Sequence, residues 1–312
     1  MISSIFGKTK PINYIILLSF LFVFYWLVHL LLSEKAYDPE SILFQTLVLS
    51  VLLFSVFWVN FIIKRNKITG TNSFAILFYT LLIIVFPEVM MDSNAVLCSF
   101  FLLLSFRRLL SIKSLKNIKY KIFDATLWIT IASLFYDWAL LYLILVFITI
   151  YFYEPKNIRN WLVPLVGMFT VFMIASSILI LFDHLNFLRK HYIFDIEFNT
   201  DYYMYWGNSA KLIAYVLLIS LVGFVAFLRL GKAGMGKIIT MRLVAIFYLI
   251  GIVLTGLKTT SNVFPVIVTF FPAVAFLTNY VEVIKKPNLK EIALLTAILI
   301  PLVVFFSSLI IK

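Results

Sequence analysis

The stretch 42–63, ILFQTLVLSVLLFSVFWVNFII, decides the fold class of this chain. It contains no charged side chain, and the basic residues Lys64, Arg65 and Lys67 follow it directly. An apolar run of about 20 residues is long enough to cross the hydrocarbon core of a bilayer as an α-helix. The stretch therefore predicts an all-α protein that spans a membrane.

The composition of the whole chain supports this prediction. Of the 312 residues, 63% are hydrophobic and 13% are charged, whereas soluble domains carry about 25% charged residues. We interpret residues 1–312 as a single integral membrane domain whose longest outer loop is 183–210. The apolar runs predict eleven helices, near residues 13–32, 42–63, 73–87, 92–109, 122–136, 138–153, 161–182, 210–230, 241–257, 262–281 and 292–311.

The distribution of charge predicts the orientation of this polytopic helical bundle. The N-terminal segment and every second gap between apolar runs hold 20 of the 26 Lys and Arg residues, and the other gaps hold 10 of the 14 acids. Short loops rich in Lys and Arg stay in the cytoplasm. We predict a cytoplasmic N-terminus and, after eleven spans, an outer C-terminus. The net charge of +12 then indicates contact with anionic membrane lipids and not with nucleic acid.

Cysteine and histidine usage limits the chemistry that the chain can support. The single cysteine, Cys98, excludes an intramolecular disulfide and a cysteine-based metal cluster, and its apolar surroundings predict a small core residue. The segment with His191, Asp195 and Glu197 has imidazole and carboxylate groups at short spacing, but no His-x3-His pair. We therefore predict no metal site built on these residues.

Ionisable residues recur in the five loops that the prediction places on the outer face. Because these loops open onto one membrane face, their side chains can converge. Several carboxylates with a few cations suit a site that binds a phosphate headgroup and deprotonates an acceptor. In chain order the candidates are Asp38, Glu40, Glu88, Asp92, Asp137, Arg189, Lys190, His191 and Lys258.

Several of these candidates have an equally simple structural explanation. Asp38 precedes Pro39 and Asp92 opens a predicted helix, so either carboxylate can be an N-cap. Glu88 follows a proline in a tight turn and fits a solvated side chain. For Asp137, between two aromatic residues, and for Lys258, on the side that is poor in basic residues, the functional and structural interpretations both stay open.

Three stretches carry a resemblance that runs along the full chain. These are 1–14 (MISSIFGKTKPINY), 91–94 (MDSN) and 124–136 (DATLWITIASLFY). Together they resemble an uncharacterised polytopic inner-membrane family of Bacteroidota. That resemblance implies a multi-pass protein of the bacterial inner (cytoplasmic) membrane and supplies no activity.

The layout is also similar to that of C-superfamily membrane glycosyltransferases, which use polyprenyl-phosphate sugars. Their first outer loop carries a catalytic acid, which Asp38 or Glu40 matches here. The stretch 258–265 (KTTSNVFP), with 271–275 (FPAVA) behind it, resembles the segment where a cation helps to hold the lipid phosphate. The usual Arg-Tyr is absent at 262–263, and the chain has no large outer domain.

Three hypotheses for function follow. The first is a glycosyltransferase-like enzyme that uses a polyprenyl-phosphate-linked sugar at the outer face, with an unknown cofactor that can be a divalent cation. The second is a transporter or flippase for a hydrophobic or lipid-linked solute, with helices broken near mid-membrane. The third is a non-catalytic subunit bound to another envelope membrane protein. The enzyme hypothesis assigns catalysis to Asp38, Glu40 and Asp137, lipid-phosphate binding to Lys258, Arg189 and Lys190, and the pocket to Glu88, Asp92 and His191.

Overall fold

The computed structural model describes residues 2–32, 38–194, 200–204, 206–232, 234–260 and 263–310, and these residues form helices and connecting segments without a strand. Within these described residues, four short 3₁₀ helices cover Ile112–Ser114, Asp137–Tyr142, Arg229–Lys232 and Pro265–Thr269. The α-helices are α1 (Ile2–Phe6), α2 (Pro11–Leu32), α3 (Pro39–Arg65), α4 (Phe74–Val85), α5 (Glu88–Met91), α6 (Ser93–Ser111), α7 (Ile118–Ser133), α8 (Leu143–Tyr153), α9 (Ile158–Leu181), α10 (Asn186–His191), α11 (Thr200–Met204), α12 (Trp206–Leu228), α13 (Met235–Lys258), α14 (Phe270–Val283) and α15 (Pro287–Ile310).

The all-α prediction is confirmed, since each of the eleven predicted intervals overlaps one of these helices. Within the described residues, eight helices are long and apolar enough to cross a membrane: α2, α3, α6, α9, α12, α13, α15 and the helix Pro265–Val283 that includes α14. The chain is therefore a multi-pass membrane protein. The other three predicted spans are shorter. Helix α4 has 12 residues, α7 has 16, and the helix Asp137–Tyr153 joins a 3₁₀ segment of 6 residues to the 11 residues of α8.

The short helix α4 forms the centre of the bundle. All of its residues except Val85 are buried, and it packs against α2, α3, α14 and α15. Helix α4 ends at Val85, because Phe86 precedes Pro87 and a residue before proline is disfavoured in helical conformation. Phe86 has accordingly left the helical region, with φ −120° and ψ 70°. A helix that is buried on every side needs no polar face.

The four acids in the gaps that are rich in basic residues all have polar partners, which tie neighbouring segments together. Asp124 pairs with Arg108 at 3.1 Å, Glu154 accepts from the Asn160 amide at 2.8 Å, Glu282 accepts from the Gly70 N–H at 2.8 Å and Glu291 accepts from the Ser3 hydroxyl at 2.6 Å. These four carboxylates therefore stabilise the fold at the end of the bundle that is rich in basic residues.

The segment 183–210, which was predicted as one long loop, is partly helical. It contains α10 and α11, and α12 begins at Trp206. The first part folds back on α7, where the Tyr192 hydroxyl lies 2.8 Å from the Ser133 hydroxyl. Asp195 and Glu197, which we considered as metal ligands, lie outside the described residues.

Candidate functional site

A buried ion pair stands at the centre of the candidate site. The Lys258 ammonium, at the end of α13, lies 3.4 Å from Asp137 Oδ1, at the start of the 3₁₀ helix that leads into α8. Their side chains are only 12% and 5% exposed. Each charge also lies at the helix end that favours it, since helix N-termini attract anions and C-termini attract cations. The local sequence therefore stabilises this pair on both sides.

The two oxygens of the Asp137 carboxylate are in different situations. Oδ1 accepts the Trp138 backbone N–H at 2.9 Å and faces Lys258. Oδ2 is buried and has no hydrogen-bond partner within the described part of the chain. A buried acceptor without a donor costs free energy. Oδ2 is therefore the atom of this site that most needs a hydrogen-bond donor.

A cavity of about 240 Å³ adjoins this pair. Four of the predicted site residues line it, namely Asp137, Lys190, His191 and Lys258, and aromatic and aliphatic side chains such as Phe194 complete the wall. The cavity therefore combines one carboxylate with two ammonium groups and an imidazole. Such a lining favours an anionic ligand that also has an apolar part.

The segment 186–194 supplies one wall of this cavity and is held on α7 by polar contacts. The His191 ring nitrogen Nε2 donates to the Ser133 carbonyl at 2.7 Å. Burial raises the pKa of the Tyr192 hydroxyl, so this group stays protonated at neutral pH and can donate to the Ser133 hydroxyl. Phe194 packs edge-on against Trp138, with the ring centroids 5.7 Å apart. The segment 186–194 thus contacts residues on both sides of Asp137 in the chain, namely Ser133 and Trp138.

Asp92 contacts Tyr136, which lines the cavity, and joins three segments at that end of the bundle. Its Oδ1 caps α6 by accepting the Ala95 N–H at 3.0 Å, so the N-cap interpretation agrees with the structure. Its Oδ2 accepts the Phe264 N–H at 2.7 Å and the Tyr136 hydroxyl. Both Asp92 oxygens are therefore occupied, and the carboxylate acts as a positioning group.

The remaining predicted residues lie elsewhere. Glu88 pairs with Lys211 on α12, and Lys211 also lies over the Phe86 ring. Arg189 is exposed on α10 and is not part of the cavity wall. Asp38 caps α3 by accepting the Ser41 N–H at 3.1 Å, and the hydrogen bonds from Ser41 lower the pKa of this carboxyl. Asp38 and Glu40 are exposed and do not line the cavity.

The geometry does not assemble a metal centre in the described residues. No group of three or more His, Cys, Asp or Glu side chains there could hold a metal ion. Asp92 and Asp137 use different partners, and both Asp92 oxygens accept hydrogen bonds. We therefore assign no step to a cation.

Two participants were missed by reasoning from the sequence, namely Tyr136 and the Phe264 backbone N–H. Tyr136 is adjacent to Asp137 and lies between two predicted helices. Its position could therefore have indicated that its hydroxyl contacts a polar residue. The Phe264 N–H carries no signal of its own, because any residue except proline offers one.

The model of a protein family matches residues 8–312, and its description is "Family of unknown function (DUF6427)". The chain belongs to this family. Searches of curated proteins and of solved structures returned no match. The resemblance to an uncharacterised family thus agrees with the family model. The functional assignment of this DUF6427 member rests on the geometry of the cavity.

Proposed function

We propose that this protein is a membrane enzyme that transfers a sugar from a polyprenyl-phosphate carrier, with the cavity at Asp137 and Lys258 as its active site. The observation that carries the proposal is the combination of two ammonium groups with a carboxylate whose Oδ2 lacks a partner. Cations suit a lipid-linked phosphate, and a carboxylate suits the deprotonation of an acceptor hydroxyl.

In this proposal the phosphate of the donor binds to Lys258 and Lys190. The bond between the anomeric carbon of the sugar and the phosphate oxygen breaks, and the polyprenyl phosphate leaves with the electron pair. The acceptor oxygen forms the new bond to the anomeric carbon, and its proton passes to Asp137. Because phosphate is a good leaving group, positioning and neutralisation supply most of the rate.

The short helices around Asp137 support access from the membrane. Helix α7 has 16 residues, which corresponds to a length of about 24 Å, whereas the hydrocarbon core of a bilayer is about 30 Å thick. With the predicted orientation, the turn that carries Asp137 lies below the outer surface of the bilayer. A lipid-linked phosphate can reach such a recessed site while its polyprenyl chain stays in the membrane.

The roles proposed for the other candidates follow from their positions. Asp137 replaces Asp38 and Glu40 as the preferred base, because only Asp137 lines the cavity. His191 contributes an imidazole to the wall next to Lys190. Asp92 and Glu88 position the surrounding helices.

The experiment uses the protein in lipid nanodiscs with radiolabelled polyprenyl-phosphate sugars. We expect saturable binding that weakens about tenfold in Lys190→Gln, since a hydrogen bond to a charged group contributes roughly 1.5–3 kcal/mol. Arg189→Gln is the matched control, because its cation is adjacent in sequence but outside the cavity. Asp137→Asn should keep binding and lose turnover. The absence of saturable binding, or equal losses in Lys190→Gln and Arg189→Gln, would contradict the proposal.

One observation favours a transporter as the second candidate. Two helices begin with a 3₁₀ segment, Asp137–Tyr142 and Pro265–Thr269, and both segments pack on α13. Interrupted helices that face one another are a feature of transporter sites. Translocation of a labelled lipid-linked solute in proteoliposomes, without any transferred product, would favour this candidate over the enzyme.

A further inference from the structure

Two arginines, Arg65 at the end of α3 and Arg107 near the end of α6, lie over the same aromatic ring, that of Phe61 on α3. The guanidinium carbon of Arg65 lies 5.6 Å from the centroid of the Phe61 ring, and that of Arg107 lies 5.2 Å from the same centroid. Arg107 also lies over Trp58, at 5.1 Å. Aromatic faces attract cations at such distances, but they leave the positive charge without a counter-ion.

Three neighbouring cations have polar partners of their own. Arg108 pairs with Asp124 at 3.1 Å, Lys113 donates to the Asn66 side chain at 3.0 Å and Lys121 donates to the Ser111 carbonyl at 2.8 Å. In the described ranges, Arg65 and Arg107 form no ion pair. These two like charges repel each other, so an arrangement that gathers them favours an anion between them.

The Trp58 indole provides a second, independent observation at the same place. Its N–H is buried and has no acceptor among the described residues. Interfacial tryptophans normally direct this donor at a polar group. The Trp58 N–H therefore lacks an acceptor within the described part of the protein.

The surface of α3 next to the arginines is apolar and open. Phe54, Trp58, Phe61 and Arg65 follow one another at helical spacing and share one face of the helix. Phe54 and Phe57 are 48% and 43% exposed. A ligand that fits this face has an anionic end at the arginines and apolar chains along the phenylalanines.

We propose that Arg65 and Arg107, with Trp58 and Phe61, bind the headgroup of an anionic phospholipid that carries two phosphates. Each phosphate meets one guanidinium, whose planar donor set matches phosphate oxygens. The acyl chains lie along the Phe54 face of α3. This site is separate from the cavity at Asp137 and does not depend on the function proposed above.

The test is native mass spectrometry of the purified protein with defined lipids. We expect retention of one cardiolipin molecule in preference to phosphatidylglycerol and phosphatidylcholine. The double variant Arg65→Gln/Arg107→Gln should weaken cardiolipin retention about 100-fold, because each charge-assisted hydrogen bond to a phosphate contributes about a factor of ten. The matched control Lys156→Gln/Arg159→Gln removes two charges from another gap rich in basic residues and should change retention far less.

Three outcomes would overturn the proposal. One is an equal loss in the two double variants, which would indicate bulk attraction only. Another is wild-type protein that does not prefer cardiolipin to phosphatidylcholine. The third is displacement of cardiolipin by inorganic pyrophosphate, which would indicate a soluble anion as the occupant. Arg65→Lys/Arg107→Lys provides a second variant that keeps both charges, and its intermediate retention would support bidentate binding by the guanidinium groups.

Discussion

Lys258 and Asp137 form an ion pair of 3.4 Å that connects the end of α13 to the start of the helix leading into α8. Both side chains are almost completely covered, so water screens their attraction only weakly. The same pair borders the cavity, which means that it holds the fold together and supplies the charges of the candidate site. Stability should therefore fall when either residue is changed, and loss of the Lys258 charge should also weaken ligand binding.

Replacing Lys258 alone should destabilise the protein strongly. Lys258→Met leaves the Asp137 carboxylate buried without a counter-ion, and breaking a buried pair in this way costs about 3–5 kcal/mol. Because both side chains retain some exposure, we expect a value near the lower limit, about 3 kcal/mol. Reversible unfolding in mixed micelles, followed by circular dichroism, measures this change.

The control for this experiment is the double variant Lys258→Met/Asp137→Leu. Replacing both members of a buried pair by apolar groups is often neutral, so the double variant should recover most of the lost stability. If the double variant is as unstable as Lys258→Met, the two side chains do not act as a pair.

Asp92→Asn should be far more harmful than the same change at Asp38. The Asp92 carboxylate accepts the Ala95 N–H, the Phe264 N–H and the Tyr136 hydroxyl. An amide keeps only one acceptor oxygen, so the Phe264 N–H would face another donor, and we expect a loss of about 2–3 kcal/mol. Thermal unfolding of both variants in detergent measures the difference.

Asp38→Asn is the matched control for this prediction, because Asp38 is also an N-cap but is exposed. Asn caps helices about as well as Asp, so the melting temperature should stay close to that of the wild type. Equal shifts in the two variants would show that Asp92 contributes only its cap to α6.

The helices could be predicted from the sequence because hydrophobicity along the chain reports them directly. The turn at 86–88 was visible in the same way, since Pro87 ends the helix before it. The number of full crossings was harder to predict, because tight packing lets short helices such as α4 exist without spanning length. Residues such as Phe74–Ile84, buried on all sides, look the same in sequence as residues that face lipid.

The site was only partly predictable. Asp137 and Lys258 were identified by their unusual positions, and the structure brings them together. The sequence did not reveal that Asp38 stays at the exposed start of α3, because loop charge gives the side of the membrane and not the position on that side. The contact between Asp92 and the Phe264 N–H depends on the packing of distant segments, which no local pattern encodes.

The predicted orientation can be tested with single cysteines. Cys98 is completely buried, so it should not react with a membrane-impermeant maleimide in folded protein, and the wild type serves as the background. Arg189→Cys should react in intact cells, whereas Lys156→Cys should react only after lysis, because their gaps lie on opposite predicted sides. Both positions are exposed in the structure. The reverse labelling pattern would invert the topology and place the cavity on the cytoplasmic side.

Two glycines of α13 should respond in opposite directions to the same substitution. A Cβ atom at Gly251 would lie 2.8 Å from Thr269 Cγ2 and 3.0 Å from the Tyr142 hydroxyl, whereas a Cβ at Gly256 would have nothing within 4 Å. Tyr142 is fully buried and its hydroxyl donates to the Phe247 carbonyl at 3.2 Å, so it cannot move without losing that bond.

We therefore expect Gly251→Ala to destabilise the protein by about 2 kcal/mol, which is typical of overpacking. Gly256→Ala should stabilise it by about 0.5–1 kcal/mol, because alanine favours the helix more than glycine does. The midpoints of unfolding in mixed micelles report both changes. Because the contacts of Gly251 are with the two segments that begin with 3₁₀ helices, its variant should also alter the cavity beside Asp137. A tolerated Gly251→Ala would indicate that α13 does not pack as closely on these segments as the structure shows.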